Sequence, residues 1–167
     1  MDRGRFVEQR WRIERPDINT FPAKVIGRLA EVTQVISKQY FVPFFAKYNL
    51  QHGEFDVLAT LRRAGKPYTL TPTALYNATL ISSGGMTNRL DRLERAALIE
   101  RLKHPTDRRG VLVALTAVGL ELIDDILPKL LEEEQRLLNT LSLNEQQQLD
   151  GLLEKLLGGF NQQSNHE

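Results

Sequence analysis

The stretch from residue 82 to residue 119 constrains the fold more than any other part of the chain. Met86, Leu90, Leu93 and Ala97 stand four, three and four residues apart, the spacing of one buried seam along an α-helix. Directly after it, two short apolar stretches, residues 98–103 (LIERLK) and 111–116 (VLVALT), flank the segment HPTDRRG. Pro, Asp and Gly supply a turn there, so the sequence predicts a helix followed at once by a hairpin. The helix is expected over residues 82–97, capped by Ser82 and Ser83, with Gly84 and Gly85 in its first turn. Each of those glycines costs a helix roughly 1 kcal/mol, which makes sense if the helix start approaches another surface closely. At ~100° per residue, Asn88, Asp91, Arg92 and Arg95 fall opposite the seam. That face is polar and cationic, and on its own it is equally a solvated helix face.

The residues upstream supply the rest of the order. In residues 25–40 the apolar positions Val25, Ile26, Leu29, Val32, Ile36 and Tyr40 recur at helical steps, and Pro43 is expected to kink or end that helix. A second helix carries Phe55, Leu58, Ala59 and Leu61 and closes at Gly65 and Pro67, glycine just past the end and proline beyond it. Thr71 and Pro72 mark the start of a short third helix, since threonine caps and proline is tolerated at the first helical position. Short helix, turn, helix with a polar face, hairpin with a basic tip: this is the order of a winged helix-turn-helix, mainly α with a small β-hairpin wing. In that arrangement the second helix enters the major groove and the wing reaches the backbone or the minor groove. Two adjacent arginines at a hairpin tip then have a purpose. Arg108 and Arg109 are assigned to DNA, where a planar cation is drawn into a narrow minor groove, and Asp107 to orienting the wing. The other reading of this tip is a plain Asp–Arg turn pair. Ser83 and Thr87 join Asn88, Asp91, Arg92 and Arg95 as the expected DNA-facing set of the helix.

Composition closes off other classes. A chain of 167 residues, 41% hydrophobic, suits one domain with a real core. No stretch approaches the ~18 apolar residues of a membrane helix, and the start, MDRGRFVEQRWR, lacks a signal-peptide core, so a cytoplasmic protein without a membrane partner is expected. There is no cysteine, which excludes disulfides, thiolate zinc sites and thiol chemistry. His52, His104 and His166 lie far apart and match no metal spacing. Without a nucleophile beside a base, a phosphate loop or a cofactor motif, no enzyme is expected and no cofactor. The formal charge of +1 hides a division. Residues 86–113 carry seven Lys/Arg against four Asp/Glu, and residues 121–157 carry three against nine, a basic functional surface and an acidic, solvated region.

The run GGMTNRLDRLERA followed by LIERLKHPTDRRGVLVALTAVG resembles the recognition helix and wing of the MarR family of bacterial transcription regulators. Asp107, Arg109, Leu115-Thr116 and Gly119 match the family's wing signature. The resemblance covers almost the whole chain and implies one MarR-type domain that acts as a homodimer. Residues 1–48 and 117–160 would supply the dimerisation helices, residues 50–116 the winged DNA-binding lobe, and residues 161–167 a flexible tail. Each lobe would read half of a pseudo-palindromic operator in double-stranded DNA, the half-sites roughly 34–36 Å apart. The leucines of residues 118–138 and 149–157 must in any case be buried, on the chain's own core or on a second chain.

The segments WRIERPD (residues 11–17), FDVLATLRRAGKPY (55–68) and TNRLDRLERA are similar to the PecS/HucR subgroup, whose members commonly respond to urate. The resemblance implies a ligand site formed by Trp11 from an additional N-terminal helix, Asp56 of the second helix and Arg89 of the recognition helix, with Arg101 pairing with the aspartate. A small aromatic anion, urate or a phenolic acid, would suit a cation and a flat stacking partner, and its charge would displace Asp56 and shift the helix carrying Arg89. The resulting expectation is a ligand-responsive repressor released from its operator. Trp11 as an exposed anchor and Asp56–Arg101 as a structural ion pair are the plainer readings. The rival function is a winged-helix architectural or interaction protein with no small-molecule response.

Overall fold

The computed structural model describes residues 2–79, 85–107 and 110–163. It divides into two compact units, residues 1–124 and 125–167. The first begins with α1 (Arg3–Glu14), which packs on α2 (Phe21–Val35). Gly4 makes the close approach possible: a β-carbon there would stand 2.8 Å from both Arg28 Cγ and the Lys24 carbonyl oxygen. Asp2 caps α1 by accepting the Arg5 N–H at 2.8 Å and also pairs with Arg28. The Arg28 hydrogen bond, then that of Arg5, lowers the Asp2 carboxyl to about 2.

Pro43 does not end the helix that carries the stripe of residues 25–40, though regular α-helical geometry is interrupted just before it. Between α2 and α3 (Val42–Ala46) the chain makes π-helical turns over Ile36–Phe41 and continues without a break. Proline lacks the N–H of an i→i−4 bond and its ring crowds the carbonyl one turn back, and a locally wider helix relieves both. The buried rings of Phe44 and Phe45 follow, and Phe45 stacks on His52 at 5.2 Å between centroids.

Helix α4 (His52–Arg63) is the centre of this unit. Glu54, Phe55, Asp56, Val57, Leu58, Thr60 and Leu61 are all buried, so α4 is covered on nearly every side rather than along a stripe. Gly65, at φ 79°, turns the chain past its end, as the sequence predicts. The two-residue strand β1 (Thr69–Leu70), which has no sequence signal, follows, and then α5 (Pro72–Ala78), capped by Thr71, whose hydroxyl accepts the Ala74 N–H at 3.1 Å. After α6 (Met86–Arg95) come β2 (Ile99–Lys103) and β3 (Val111–Leu115). The sheet is antiparallel in the order β1-β3-β2, with Ile99 opposite Leu115, Lys103 opposite Val111 and Thr69 opposite Ala114. The core is built from Leu58, Leu61, Leu75, Leu90, Leu93, Ile99, Val113 and Ile123.

Helix α7 (Ala117–Leu138) begins where the wing ends. Thr116 joins the two, its hydroxyl donating to the Ala97 carbonyl at 2.7 Å and accepting the Gly119 N–H at 3.0 Å. The second unit holds the rest of α7 and α8 (Leu143–Gln163), which is longer at both ends than the leucine pattern predicts. Ser142 and Glu145 form a reciprocal cap at its start. The expected tail at 161–167 is helical as far as Gln163. Along α8, Leu152, Leu156, Leu157 and Phe160 are exposed. Among the described residues no helix is long and apolar enough to cross a membrane, and no cluster of three or more His, Asp or Glu could hold a metal.

Candidate nucleic-acid interface

Helix α6 is shorter than its sequence pattern. Gly85 is not in the first turn: at φ 84° it lies in the left-handed region, outside a right-handed helix, and so precedes Met86 as the cap position. At the other end Ala97, expected on the buried seam, has φ 56° and is exposed. The chain reverses there, and Leu98 and Ile99 take over the core. The seam proper is Met86, Leu90 and Leu93, the two leucines fully covered. Ser83 lies outside the described residues, as do the wing-tip residues Arg108 and Arg109.

The face opposite the seam is polar as expected, but its charges are not equally placed. Thr87, Asn88, Arg92 and Arg95 are exposed, while Asp91 and Arg89 are half-buried. Arg95 donates from Nε to the Asp91 carbonyl at 3.2 Å. Arg92 reaches back to α4, its Nε 2.7 Å from Glu54 Oε1. Arg89 passes close to the first turn of α4, where Gly53 makes room: a β-carbon on Gly53 would stand 2.5 Å from Arg89 Nε. Between α4 and α6 lies an open cleft of about 420 Å³, lined by Gln51, Glu54, Asn88, Arg89, Arg92 and Arg95 among others.

Arg101 on β2 differs from its expected role. Its guanidinium is held by two carboxylates of α6, Asp91 at 2.6 Å and Glu94, rather than by Asp56. The reason is connectivity: the tight turn at residues 96–98 folds β2 straight back along the second half of α6, and a side chain in the middle of β2 meets α6 first. The Asp91 hydrogen bond, then that of Glu94, raises Arg101 above its ordinary value against the opposing effect of burial. Asp91, expected to face DNA, is therefore shared with the wing.

The wing tip is closed by its own backbone. His104 N–H donates to the Gly110 carbonyl and Gly110 N–H to the Asp107 carbonyl, each at 3.0 Å. His104 Nδ1 accepts the Asp107 N–H at 3.2 Å, a further hydrogen bond within the same turn. Of the expected ligand residues, Asp56 is buried in α4 and Trp11 is 49% exposed on α1. The cleft that contains Arg89 is lined by neither of them, nor by Arg101.

Sequence reasoning passed over Glu54 and the close approach at Gly53, and it read Thr116 only as part of the wing signature. The spacing of Gln51 and Glu54 is that of a capping box with glutamine at the first place, which is a signal for Glu54. Gly53 carries none without the neighbour that covers it.

A helix-turn-helix backed by a three-stranded sheet, with an exposed polar and cationic helix face, defines the winged-helix class of DNA-binding proteins. The chain belongs to the MarR family of transcriptional regulators, which it matches over residues 48–110. It is 41% identical to the HTH-type transcriptional regulator PecS of Dickeya dadantii (strain 3937) over 88% of each chain. Among solved structures it is similar to a mutant MarR from Escherichia coli complexed with operator DNA, with a TM-score of 0.67 and 27% identity, covering 88% of this chain and 97% of that one. It is also similar to BpsR of Bordetella bronchiseptica, in a structure concerned with regulation of its DNA binding by 6-hydroxynicotinic acid. There the TM-score is 0.64 and the identity 25%, over 76% of this chain and 91% of that one.

Proposed function

We propose that this regulator binds a pseudo-palindromic operator as a homodimer, represses from it, and is released by a small aromatic anion such as urate or a phenolic acid. The observation that carries the reading is the exposed face of α6, where Thr87, Asn88, Arg92 and Arg95 stand together beside the wing. Groups of this kind read base edges and phosphates in a major groove. Arg108 and Arg109 of the wing add the phosphate and minor-groove contacts, and Asp107, whose carbonyl accepts the Gly110 N–H, orients the wing.

Two features support the homodimer. In the first unit, Phe6, Val7, Trp11, Val25, Ile26, Leu29 and Val32 of α1 and α2 are exposed, and in the second the leucines of α8 are exposed with Phe160. Apolar surface on this scale needs a partner, and a second copy is the simplest one in a protein that reads two half-sites. For the effector, the support is the similarity to PecS and to BpsR, together with a half-buried Arg89 and the carboxylate of Asp56 in the neighbouring helix. Trp11 would offer its ring to the same ligand.

The test is fluorescence anisotropy of labelled DNA from upstream of the protein's own gene, with a nonspecific duplex as control and urate and salicylate titrated separately. Operator binding that collapses with urate is the expected result. Collapse with salicylate alone moves the effector to the phenolic acids. Absence of any preference for the operator refutes the regulator reading in favour of an architectural protein.

A further inference from the structure

We propose that Glu54 is a positioning residue for DNA reading: its buried carboxylate tethers the guanidinium of Arg92 and sets the orientation in which Arg92 meets DNA. The inference rests on the assignment of the outer face of α6 to DNA.

Glu54 is 2% exposed. A carboxylate removed from water is costly unless both oxygens are compensated. Oε2 is, by the Gln51 N–H at 2.7 Å, which also caps α4. Oε1 accepts no hydrogen bond, yet Arg92 Nε stands 2.7 Å away, an ionic contact at an angle outside hydrogen-bond geometry. Arg92 is thus what compensates the second oxygen. The reverse dependence is equally informative, because the Arg92 side chain keeps 45% of its surface exposed and has no burial of its own to fix it.

A guanidinium is rigid and planar, so holding it at Nε restricts the plane in which its other N–H groups lie. Those groups form the fork that recognises guanine O6 and N7 or a phosphate in pairs. An arginine already oriented by Glu54 loses less freedom on binding than a free one, and it favours acceptors that match its plane over those that do not. Asn88 and Arg95 lie one turn to either side of Arg92 on the same face, so the tether also fixes its place relative to them. Glu54 itself stays beneath the surface and contacts no base.

Capping and tethering separate in Glu54→Gln. The glutamine carbonyl can still accept the Gln51 N–H, while the oxygen facing Arg92 becomes an NH2 group, so the charge and the oxygen that hold Arg92 are both lost. Wild type, E54Q, Arg92→Met and the double variant would be measured by anisotropy on operator and scrambled duplexes, with thermal unfolding recorded for each. The expected result is an operator affinity about tenfold lower for E54Q, scrambled-duplex affinity within about twofold of wild type, and a double variant no worse than R92M. Equal loss on both duplexes, additivity with R92M, or an unchanged operator preference in E54Q would each overturn the tether. Should E54Q fail to fold, Arg92→Lys, which keeps the charge on an exposed site but lacks the planar fork, must show the same selective loss, and retained preference overturns the proposal. A wild-type protein with no operator preference refutes the underlying reading and the tether together, whereas a selective wild type with an equally selective E54Q refutes the tether alone.

Discussion

Replacing Gly119 by alanine should loosen the joint at which the wing becomes α7. A β-carbon at this position would lie 1.9 Å from the Leu98 carbonyl oxygen and 2.9 Å from its carbon. Carbon and carbonyl oxygen approach to about 3.3 Å at closest, so the two backbones must part by more than about 1 Å. The oxygen in question accepts the Thr116 N–H at 3.2 Å, and the adjacent Ala97 carbonyl accepts the Thr116 hydroxyl. Separation of that size leaves a partly buried backbone group unpaired, about 1–3 kcal/mol, and adds overpacking of about 1–3 kcal/mol. The better helix propensity of alanine returns at most about 1 kcal/mol. The midpoints of these ranges leave a net loss of about 3 kcal/mol, or a fall in Tm of roughly 6–12 °C for a chain of this size. Gly151→Ala is the internal control, since a β-carbon there meets nothing within 4 Å, and it should be stabilising by up to about 1 kcal/mol. Calorimetry and circular-dichroism melts of both variants decide the matter. If Gly119→Ala melts within a degree or two of wild type, the close approach described here does not limit stability and the reasoning fails.

Arg109→Ala should weaken binding to every DNA sequence and reduce the salt slope by about 1; a salt titration with unchanged slope removes Arg109 from the contacts. Trp11→Phe should spare operator binding and weaken the ligand response in the same anisotropy assay, and an intact response places the pocket elsewhere. Arg101→Met should weaken binding to operator and nonspecific duplexes alike, because Asp91 and Glu94 then face DNA uncompensated, and adding Asp91→Asn and Glu94→Gln should restore it. A triple variant as weak as R101M would show that Arg101 touches DNA or ligand directly. Burial lowers His52 from its ordinary value of 6.5, with Asp56 opposing, so the unfolded state binds the proton more readily. Stability is therefore lost as pH falls below about 6.5 towards the folded-state value, and His52→Phe should flatten the decline of the urea midpoint between pH 7.5 and 5.5.

The order of elements was legible because each carried its own local signal: the stripe of α6, the cap at Thr71-Pro72, the glycine at residue 65 and the paired apolar stretches of the wing. What was hidden depended on neighbours distant in sequence. Strand β1 is two residues long and exists through its pairing with β3, so no periodicity marks it. The continuation of the helix through Pro43 needs the π-helical turns before it, which propensity does not foresee. The Leu-Thr…Gly signature was recognisable as a pattern, but its cause, a hydroxyl tying Ala97 to Gly119 and a glycine pressed on Leu98, is purely tertiary. In the same way Arg101 was identified as a site residue while its partners were not, since the tight turn after α6 decides which carboxylates it can reach.

The charges of α6 show why a count of basic residues misjudges the character of its outer face. Of the five charged side chains between Met86 and Arg95, Arg92 is engaged by Glu54 of α4, and Asp91 and Glu94 by Arg101 of the wing. Those pairs join three elements that move independently in an unfolded chain, and they do so beside the face proposed to read DNA. Exposed ion pairs contribute little to stability individually, and most of these charges are partly exposed, so their larger effect is on geometry. A helix pinned from two sides presents Thr87, Asn88, Arg92 and Arg95 in one fixed arrangement, as discrimination between similar sequences requires. Under the proposed function, a ligand that alters the charge balance near Arg89, one turn before Arg92, would act where a small displacement of α6 changes all four proposed contacts together.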